Sequence, residues 1–587
     1  MKLRPVLFML LFVWAFYHPC AQSQDRGGWG DAAAAQQYVK WARQAIDEER
    51  WDEALAALER AADFANVSSD ISYLLAVTRS HEGKIRISVL EALDRAIEIN
   101  RWADYNADHA LLLKAEQLIA MRSYSSTLAV LDQVKENTFP VSADLTMLRL
   151  LAFRGLAADP DNVQALARFR SQLLLAMDRY PRDPRPLRIF FEYARNRRPQ
   201  PLELAESDID LLELALRRLP FLLEADPDLA WMAAPLMRNT DEARRLTSSY
   251  RAGGLSGGGN ENFRPSSGSI AVALNLGLID DTAAVEELFA GFAANGEQVL
   301  DKDIITEIDS LLRSDDGRDL FTQKLLSFSG IVSSDEDHSG YASSLAFYSS
   351  GFIREINFDM NRDGIVDLHI SFTADGVPVS ARYRITGEPI PAHIQWERYP
   401  SVEMVTLAGE TFLFRPADFQ FAPVSFIELG GGKIHSGLVY PVPSYRNMQL
   451  TRRSLVSFCA SISRPSVEFT GAVEQIFLER GIPMQAVETI NGKQVSFTEF
   501  ERGAPVIQRL DLDLDGRMET VRRFRRPGPD FNETFDLRGL AASSESDWGD
   551  GRYKTGEMYL QDGSVVYSWD MDGSGTMNYS ETETGRE

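Results

Sequence analysis

Two cysteines, Cys20 and Cys459, are all that this 587-residue chain contains, and two thiols build neither a disulfide framework nor a cysteine zinc site. Basic charge is scarce too: 61 Lys and Arg stand against 85 Asp and Glu, for a formal charge of −24. An acidic excess repels phosphate and anionic lipid, and no local basic patch reverses it, so nucleic acid is excluded as a partner class. Beyond the first twenty-odd residues no apolar run approaches the roughly 18 residues that cross a bilayer, and the mature chain is expected to have no membrane span. Motifs of catalysis are missing as well. There is no His-Glu-x-x-His, the match to Gly-x-Ser-x-Gly at Gly254, Ser256 and Gly258 falls in a Gly/Ser-rich stretch with no strand before it, and Lys554-Thr555-Gly556 stands without its Ser-x-x-Lys companion. Gly430-Gly431-Gly432-Lys433 lacks the hydroxyl residue and the earlier glycine of a phosphate loop. The seven histidines are scattered, with no pair at metal spacing. These absences argue against an enzyme. A carboxylate pair assembled from distant positions would leave no such trace in a sequence.

What is present begins with a leader. Lys2 and Arg4 precede an apolar run from Val6 to Phe16, and Ala21 and Ser23 have the spacing of a signal-peptidase site. Residues 1–23 therefore read as a signal peptide and the protein as exported, periplasmic or in the cell envelope. Two alternatives are an uncleaved N-terminal anchor and a lipid anchor at Cys20; Tyr17-His18-Pro19 is a poor lipobox for the latter.

Residues 28–250 carry apolar residues at helical spacing. Tyr38, Trp41, Ala42 and Ala45 form one face and Ala54, Leu58 and Ala61 another, separated by the polar turn Asp47-Glu48-Glu49-Arg50, which describes a helical hairpin. The second face returns at Val89, Leu93 and Ala96, and again at Thr127, Leu131 and Val134, offset by 35 and then 38 residues. A period near 34 marks an array of helical hairpins. These residues resemble the tetratricopeptide repeat (TPR), which has a large residue early in its first helix, a small one four later, and small–large–small positions down its second. Tyr38, Ala42, Ala54, Leu58 and Ala61 match in register; Tyr73 with the second face matches more loosely. Leu111 and Ala115 with the third face keep only size. The resemblance implies an α-solenoid that grips a protein or peptide along its inner face. A Gly/Ser-rich stretch, 251–268, interrupts the helical pattern. It resumes over 269–328, at Ile270–Gly277, Ala283–Ala294, Ile304–Arg313 and Asp319–Phe328.

From residue 330 to 587 the pattern alternates, as in Val366, Leu368, Ile370 and Phe372, and predicts a mostly antiparallel β domain of sandwich or barrel type, with a helical interruption at Val467–Arg480. Four acidic turns punctuate it. They are Asp335-x-Asp337-x-Ser339-Gly340, Asp359-x-Asn361-x-Asp363-Gly364, Asp511-x-Asp513-x-Asp515-Gly516 and Asp570-x-Asp572-x-Ser574-Gly575. Oxygens at positions 1, 3 and 5 can converge on a hard cation because the glycine permits the sharp turn. Position 9 also bears oxygen, at Ser343, Asp367, Glu519 and Asn578. The turns resemble the calcium loops of EF-hands and dockerins, which implies calcium as a structural cofactor. Glu581 alone supplies the acid expected at position 12, and the flanks read as strands rather than helices.

The sequence thus supports an exported, non-enzymatic scaffold with calcium-stiffened hairpins. Its alternative is an envelope hydrolase or carbohydrate-binding protein whose working unit is the β domain. A cleft with converging carboxylates in that domain separates the two, and favours the alternative.

Overall fold

Pairs of alanine-rich helices open the chain. In the computed structural model, residues 29–583 are described apart from 65–67, 82–85, 136–140, 160, 197–205, 254–265, 291–292, 295–296, 336–341, 387, 432–436, 445–449, 529–530 and 548–553. The leader, Cys20, most of the Gly/Ser-rich stretch, and Asp337, Ser339 and Gly340 of the first acidic turn lie outside the described residues. Contacts divide the chain into two compact units, Met1–Pro181 and Arg182–Glu587.

The first unit is a TPR-like array of helices: α1 (Trp29–Asp47), α2 (Trp51–Phe64), α3 (Ser69–His81), α4 (Arg86–Ile99), α5 (Ala107–Ala120), α6 (Tyr124–Leu131), α7 (Val141–Leu156) and α8 (Val163–Arg179). Each packs on the next. Ala42, Ala54, Leu58 and Ala61 are wholly buried, as the hairpin spacing requires; so are Val89, Leu93 and Ala96, and Ala115, Thr127 and Leu131 of the copy that kept only size. Small side chains let the helices approach, and the large one between them fills the gap. The turns repeat as well. Arg50 N donates to Ala45 O and Ser123 N to Leu118 O, both at 2.8 Å, over the left-handed residues Glu49 (φ 56°) and Arg122 (φ 55°). Glu49 and Arg122 are 73 residues apart, as are Ala54 and Thr127. The same helix-ending turn therefore recurs two repeats later, a signature of common architecture that composition alone does not carry.

The second unit starts with α9 (Arg185–Asn196), α10 (Glu206–Arg218), α11 (Leu229–Ala233), α12 (Thr240–Arg251), α13 (Ser267–Asn275), α14 (Asp281–Ala290), α15 (Lys302–Leu311) and α16 (Asp315–Leu326). Between α14 and α15 lie β1 (Ala293–Ala294), at the end of the helix expected over Ala283–Ala294, and β2 (Glu297–Asp301). After α16 the strands follow: β3 (Gly330–Ser334), β4 (Ser344–Ser349), β5 (Phe352–Phe358), β6 (Leu368–Phe372), β7 (Pro378–Tyr383), β8 (Ala392–Arg398), β9 (Ser401–Leu407), β10 (Glu410–Leu413), β11 (Val424–Leu429) and β12 (Leu438–Pro443). Beyond the short helix α17 (Arg452–Phe458) come β13 (Ser461–Pro465), β14 (Val473–Glu479), β15 (Ile482–Ile490), β16 (Lys493–Glu501), β17 (Ala504–Leu510) and β18 (Thr520–Phe524), the single turn α18 (Phe531–Thr534), and β19 (Ala541–Ser546), β20 (Thr555–Tyr559), β21 (Val565–Trp569) and β22 (Tyr579–Glu583).

Among the described residues β11 and β12 pair only with each other, the other strands form one meander in which each pairs with its neighbour in the chain, and only β2–β3 is parallel. The sheet is open, and no closed barrel forms among the described residues. Val467–Arg480 is not helical. Its second half is β14, in which Glu474, Ile476 and Leu478 alternate into the interior, and pairing with β13 and β15 decides between two periods that a short apolar run satisfies equally.

One hydrophobic core joins α13–α16 to the sheet as far as Ala486, with Phe531 and Phe535. Further along, β19–β22 bury no apolar residue. This end is a single layer, held by backbone ladders, by Trp569 stacked on Tyr567 of its own strand and tilted against Tyr579 of the next, and by its loops.

Candidate functional site

Each acidic turn closes a hairpin and spans the nine residues between its strands: 335–343 joins β3 to β4, 359–367 joins β5 to β6, 511–519 joins β17 to β18, and 570–578 joins β21 to β22. Because neighbouring strands alternate in direction, the second, third and fourth loops and Asp335 of the first lie at the same end of the strands.

Three loops share one hydrogen-bond plan. The position-1 carboxylate accepts from the N–H groups of positions 5 and 6: Asp359 from Asp363 and Gly364 (3.0 and 2.8 Å), Asp511 from Asp515 and Gly516 (3.1 and 2.8 Å), Asp570 from Ser574 and Gly575 (3.1 and 2.7 Å). The position-3 side chain, Asn361, Asp513 or Asp572, also accepts from the position-5 N–H. The ninth-position oxygen reaches back to the position-2 N–H: Asp367 to Met360 at 2.8 Å, Glu519 to Leu512 at 2.6 Å, Asn578 to Met571 at 2.8 Å. Backbone satisfaction thus accounts for the shared ninth-position oxygen, with or without a cation. The position-6 glycines, Gly364, Gly516 and Gly575, have φ of 85°, 98° and 83°, where a side chain is strained.

The loops part company in their electrostatics. In the second, Arg384 Nη1 lies 2.7 Å from Asp363 and 3.7 Å from Asp367, so a guanidinium occupies the place of a cation. Hydrogen bonding to Asp363 holds Arg384 above its ordinary value, while burial raises Asp367. Arg362, 1% exposed, reaches from the same loop to Asp335 of the first at 3.3 Å. The third loop brings carboxylate oxygens of Asp511, Asp513, Asp515 and Glu519 within 4.8 Å of one another, an arrangement able to hold a metal ion and the one such group among the described residues. In the fourth, Asn578 and Ser574 replace acids, and Glu581 lies on β22 accepting from the Tyr579 hydroxyl at 2.7 Å, so it stays with the strand.

A second constellation was not anticipated. On β14 and β15, Glu474 and Glu488 stand directly opposite each other, 7% and 6% exposed. They line a cavity of about 300 Å³ with Arg464, Glu468, Gln508, Arg522, Phe524, Phe535, Leu537 and Arg538. Arg464 pairs with Glu474 at 2.7 Å, Arg538 with Asp536 at 2.5 Å, and Arg522 with Glu468. Ser466 donates to Glu488 Oε1 at 2.5 Å, and Ser496, directly opposite on β16, is a further partner of the carboxyl. Burial, with the charges of Glu474 and Glu468, raises the Glu488 carboxyl. This is a cleft of converging carboxylates in the β region.

A stability effect follows from that shift. The folded chain holds the Glu488 proton more tightly than the unfolded chain, whose value is about 4.5, so stability falls as pH rises from there through the raised native value. Glu488→Gln removes the charge and should raise neutral-pH stability by on the order of 1 kcal/mol, with convergence toward the wild type in acid. Urea titrations across pH 4–8 measure it, and a parallel pH dependence in both proteins refutes it.

No sequence profile of a known family matches the chain. A Treponema pallidum (strain Nichols) protein described only as uncharacterized is 22% identical over a 654-position alignment, covering 92% of this chain and 78% of that one. Among solved structures, a tetratricopeptide repeat protein from Parabacteroides merdae superposes with a TM-score of 0.32 at 11% identity, covering 49% of this chain and 98% of its own. Pseudomonas aeruginosa pilF does so with a TM-score of 0.24 at 16% identity, covering 42% and 85%. The assignment of the helical array rests on its own packing and turns. No helix among the described residues is long and apolar enough to cross a membrane.

Proposed function

We propose that the chain is an exported, non-enzymatic interaction protein of the cell envelope, whose helical array captures a protein or peptide and whose third acidic loop binds calcium as a structural ion. The observation that carries the first half is a cluster of polar and aromatic side chains from α1, α3, α5 and the connection that precedes α5. Arg43 of α1 lies over the Tyr105 ring (5.5 Å) and pairs with Asp104, Tyr105 packs on Tyr73 of α3 at 4.8 Å, and His109 of α5 adjoins both. Aromatic rings with partly exposed polar tips are the residues from which extended peptides draw affinity. Capture by the full chain from an envelope fraction should drop at least tenfold in Arg43→Glu and be unchanged in Glu59→Lys, whose side chain is exposed on α2. The reverse pattern overturns the groove. N-terminal sequencing of the secreted protein tests export, with a start near Gln24 expected and Met1 contradicting cleavage.

A second reading, a β unit that binds a small ligand, has the Glu474–Glu488 cavity in its favour. Both acids are nearly sealed and already hydrogen-bonded or ion-paired, and about 300 Å³ suits a small molecule rather than a polymer threaded between two carboxylates.

A further inference from the structure

Among the described residues β11 and β12 pair only with each other, and their two outer edges differ. Directly opposed residues of an antiparallel pair alternate between those that exchange backbone hydrogen bonds and those that do not. Pro443 lies opposite Val424 and Pro441 opposite Phe426, and a proline has no N–H to exchange. The bonded pairs are therefore Ser425 with Val442, Ile427 with Tyr440 and Leu429 with Leu438. The bond from Ser444 N to Pro423 O, at 2.7 Å, continues the same phase. Hence the N–H and C=O groups of Val424, Phe426 and Glu428 point away from β12.

On β12 the outward residues are Val439, Pro441 and Pro443, so two donors are missing, and Val439 O accepts from the Tyr348 hydroxyl at 2.8 Å. Prolines close that edge to pairing. On β11 the Tyr399 hydroxyl occupies Val424, donating to its carbonyl and accepting from its N–H at 3.4 Å. The outward backbone groups of Phe426 and Glu428 have no partner among the described residues. Ser425, Phe426, Ile427 and Glu428 are all exposed, whereas Tyr440 and Pro441 across the ladder are buried, so neither face of β11 is covered there. We infer that β11 receives an extended peptide of a partner protein as a third strand, held by the backbone of Phe426 and Glu428, with apolar side chains beside Phe426 and Ile427 and a lysine or arginine opposite Glu428.

In such strand additions main-chain pairing supplies affinity and alternate side chains supply specificity. Glu428 is ion-paired with no cation among the described residues, and a chain of net charge −24 attracts a basic segment. A second copy fits less well. Antiparallel pairing of two β11 edges about Ile427 sets Phe426 of one copy opposite Glu428 of the other, and leaves both carboxylates uncompensated. The inference does not depend on capture by the helical array.

Hydrogen exchange of the full chain, read at single amides, tests it with a short synthetic peptide of alternating Val and Lys beside one of alternating Val and Glu. In the protein alone the amides of Phe426 and Glu428 should exchange at least tenfold faster than those of Ile427 and Leu429. The Val/Lys peptide should slow the first two at least tenfold, and bind ten times or more tightly than the Val/Glu peptide. Phe426→Pro removes an outward N–H while sparing the ladder to β12, and should abolish binding. Glu428→Lys should reverse the preference between the peptides, and keeps the test decisive should the proline variant not fold. Slow exchange at Phe426 and Glu428 in the protein alone overturns the inference, as does a Val/Lys peptide that fails to bind, leaves those amides unprotected or still binds Phe426→Pro. A dimer of the chain that Phe426→Pro dissolves overturns it in favour of a second copy.

Discussion

Arg362→Ala should destabilise the second unit by about 3–5 kcal/mol, the range for removing one partner of a buried ion pair. The side chain is 1% exposed and faces Asp335 at 3.3 Å, tying the first acidic loop to the second across two strands. Without it the Asp335 carboxylate loses the counter-charge that compensates its desolvation. Arg362 also sits at φ 57°, so Arg362→Gly loses the same pair while relieving a left-handed backbone. Glycine should therefore be less harmful than alanine by about 1 kcal/mol. Chemical denaturation of the two variants decides the matter. A loss under 1 kcal/mol for alanine would mean that the guanidinium is not needed where it lies.

Calcium should stabilise the same unit, and through the third loop. Binding to the folded state alone adds RT ln(1 + [Ca²⁺]/Kd), about 2.7 kcal/mol at a hundred times Kd. For a site in the weak extracellular range of about 10⁻⁴–10⁻³ M, several millimolar calcium gives about 1–3 kcal/mol. Asp511, Asp513, Asp515 and Glu519 lie close enough to share an ion, and their mutual repulsion works against the hairpin until one arrives. The second loop is expected to respond differently, because Arg384 already pairs with Asp363 and lies near Asp367. Asp515→Ala should lower the melting temperature in calcium and not in EDTA, whereas Asp363→Ala should lower it equally in both. Identical melting of the wild type with and without calcium removes the metal from the third loop.

The first hairpin was legible because close helix approach admits only small residues at Ala42, Ala54 and Ala61, and such a constraint shows as a local period. The acidic turns were legible for a similar reason: a sharp turn needs a glycine, and its N–H groups need nearby oxygens. Both are rules about residues close in the chain, and there the sequence by itself determined the outcome.

Partners distant in the chain decided the rest. Which loop has a free cluster and which an internal cation depends on Arg384, brought to the second loop by the pairing of β6 with β7. The strand at β14 was hidden because a short apolar run fits two periods, and only neighbours on both sides select one. The cavity was hidden with it. A carboxylate in phase with Ile476 and Leu478 was the available sign, and it has meaning only once Glu474 is known to face the interior. That β14 and β15 bring Glu474 and Glu488 face to face is a matter of register, fixed by pairing along the whole ladder rather than by either residue.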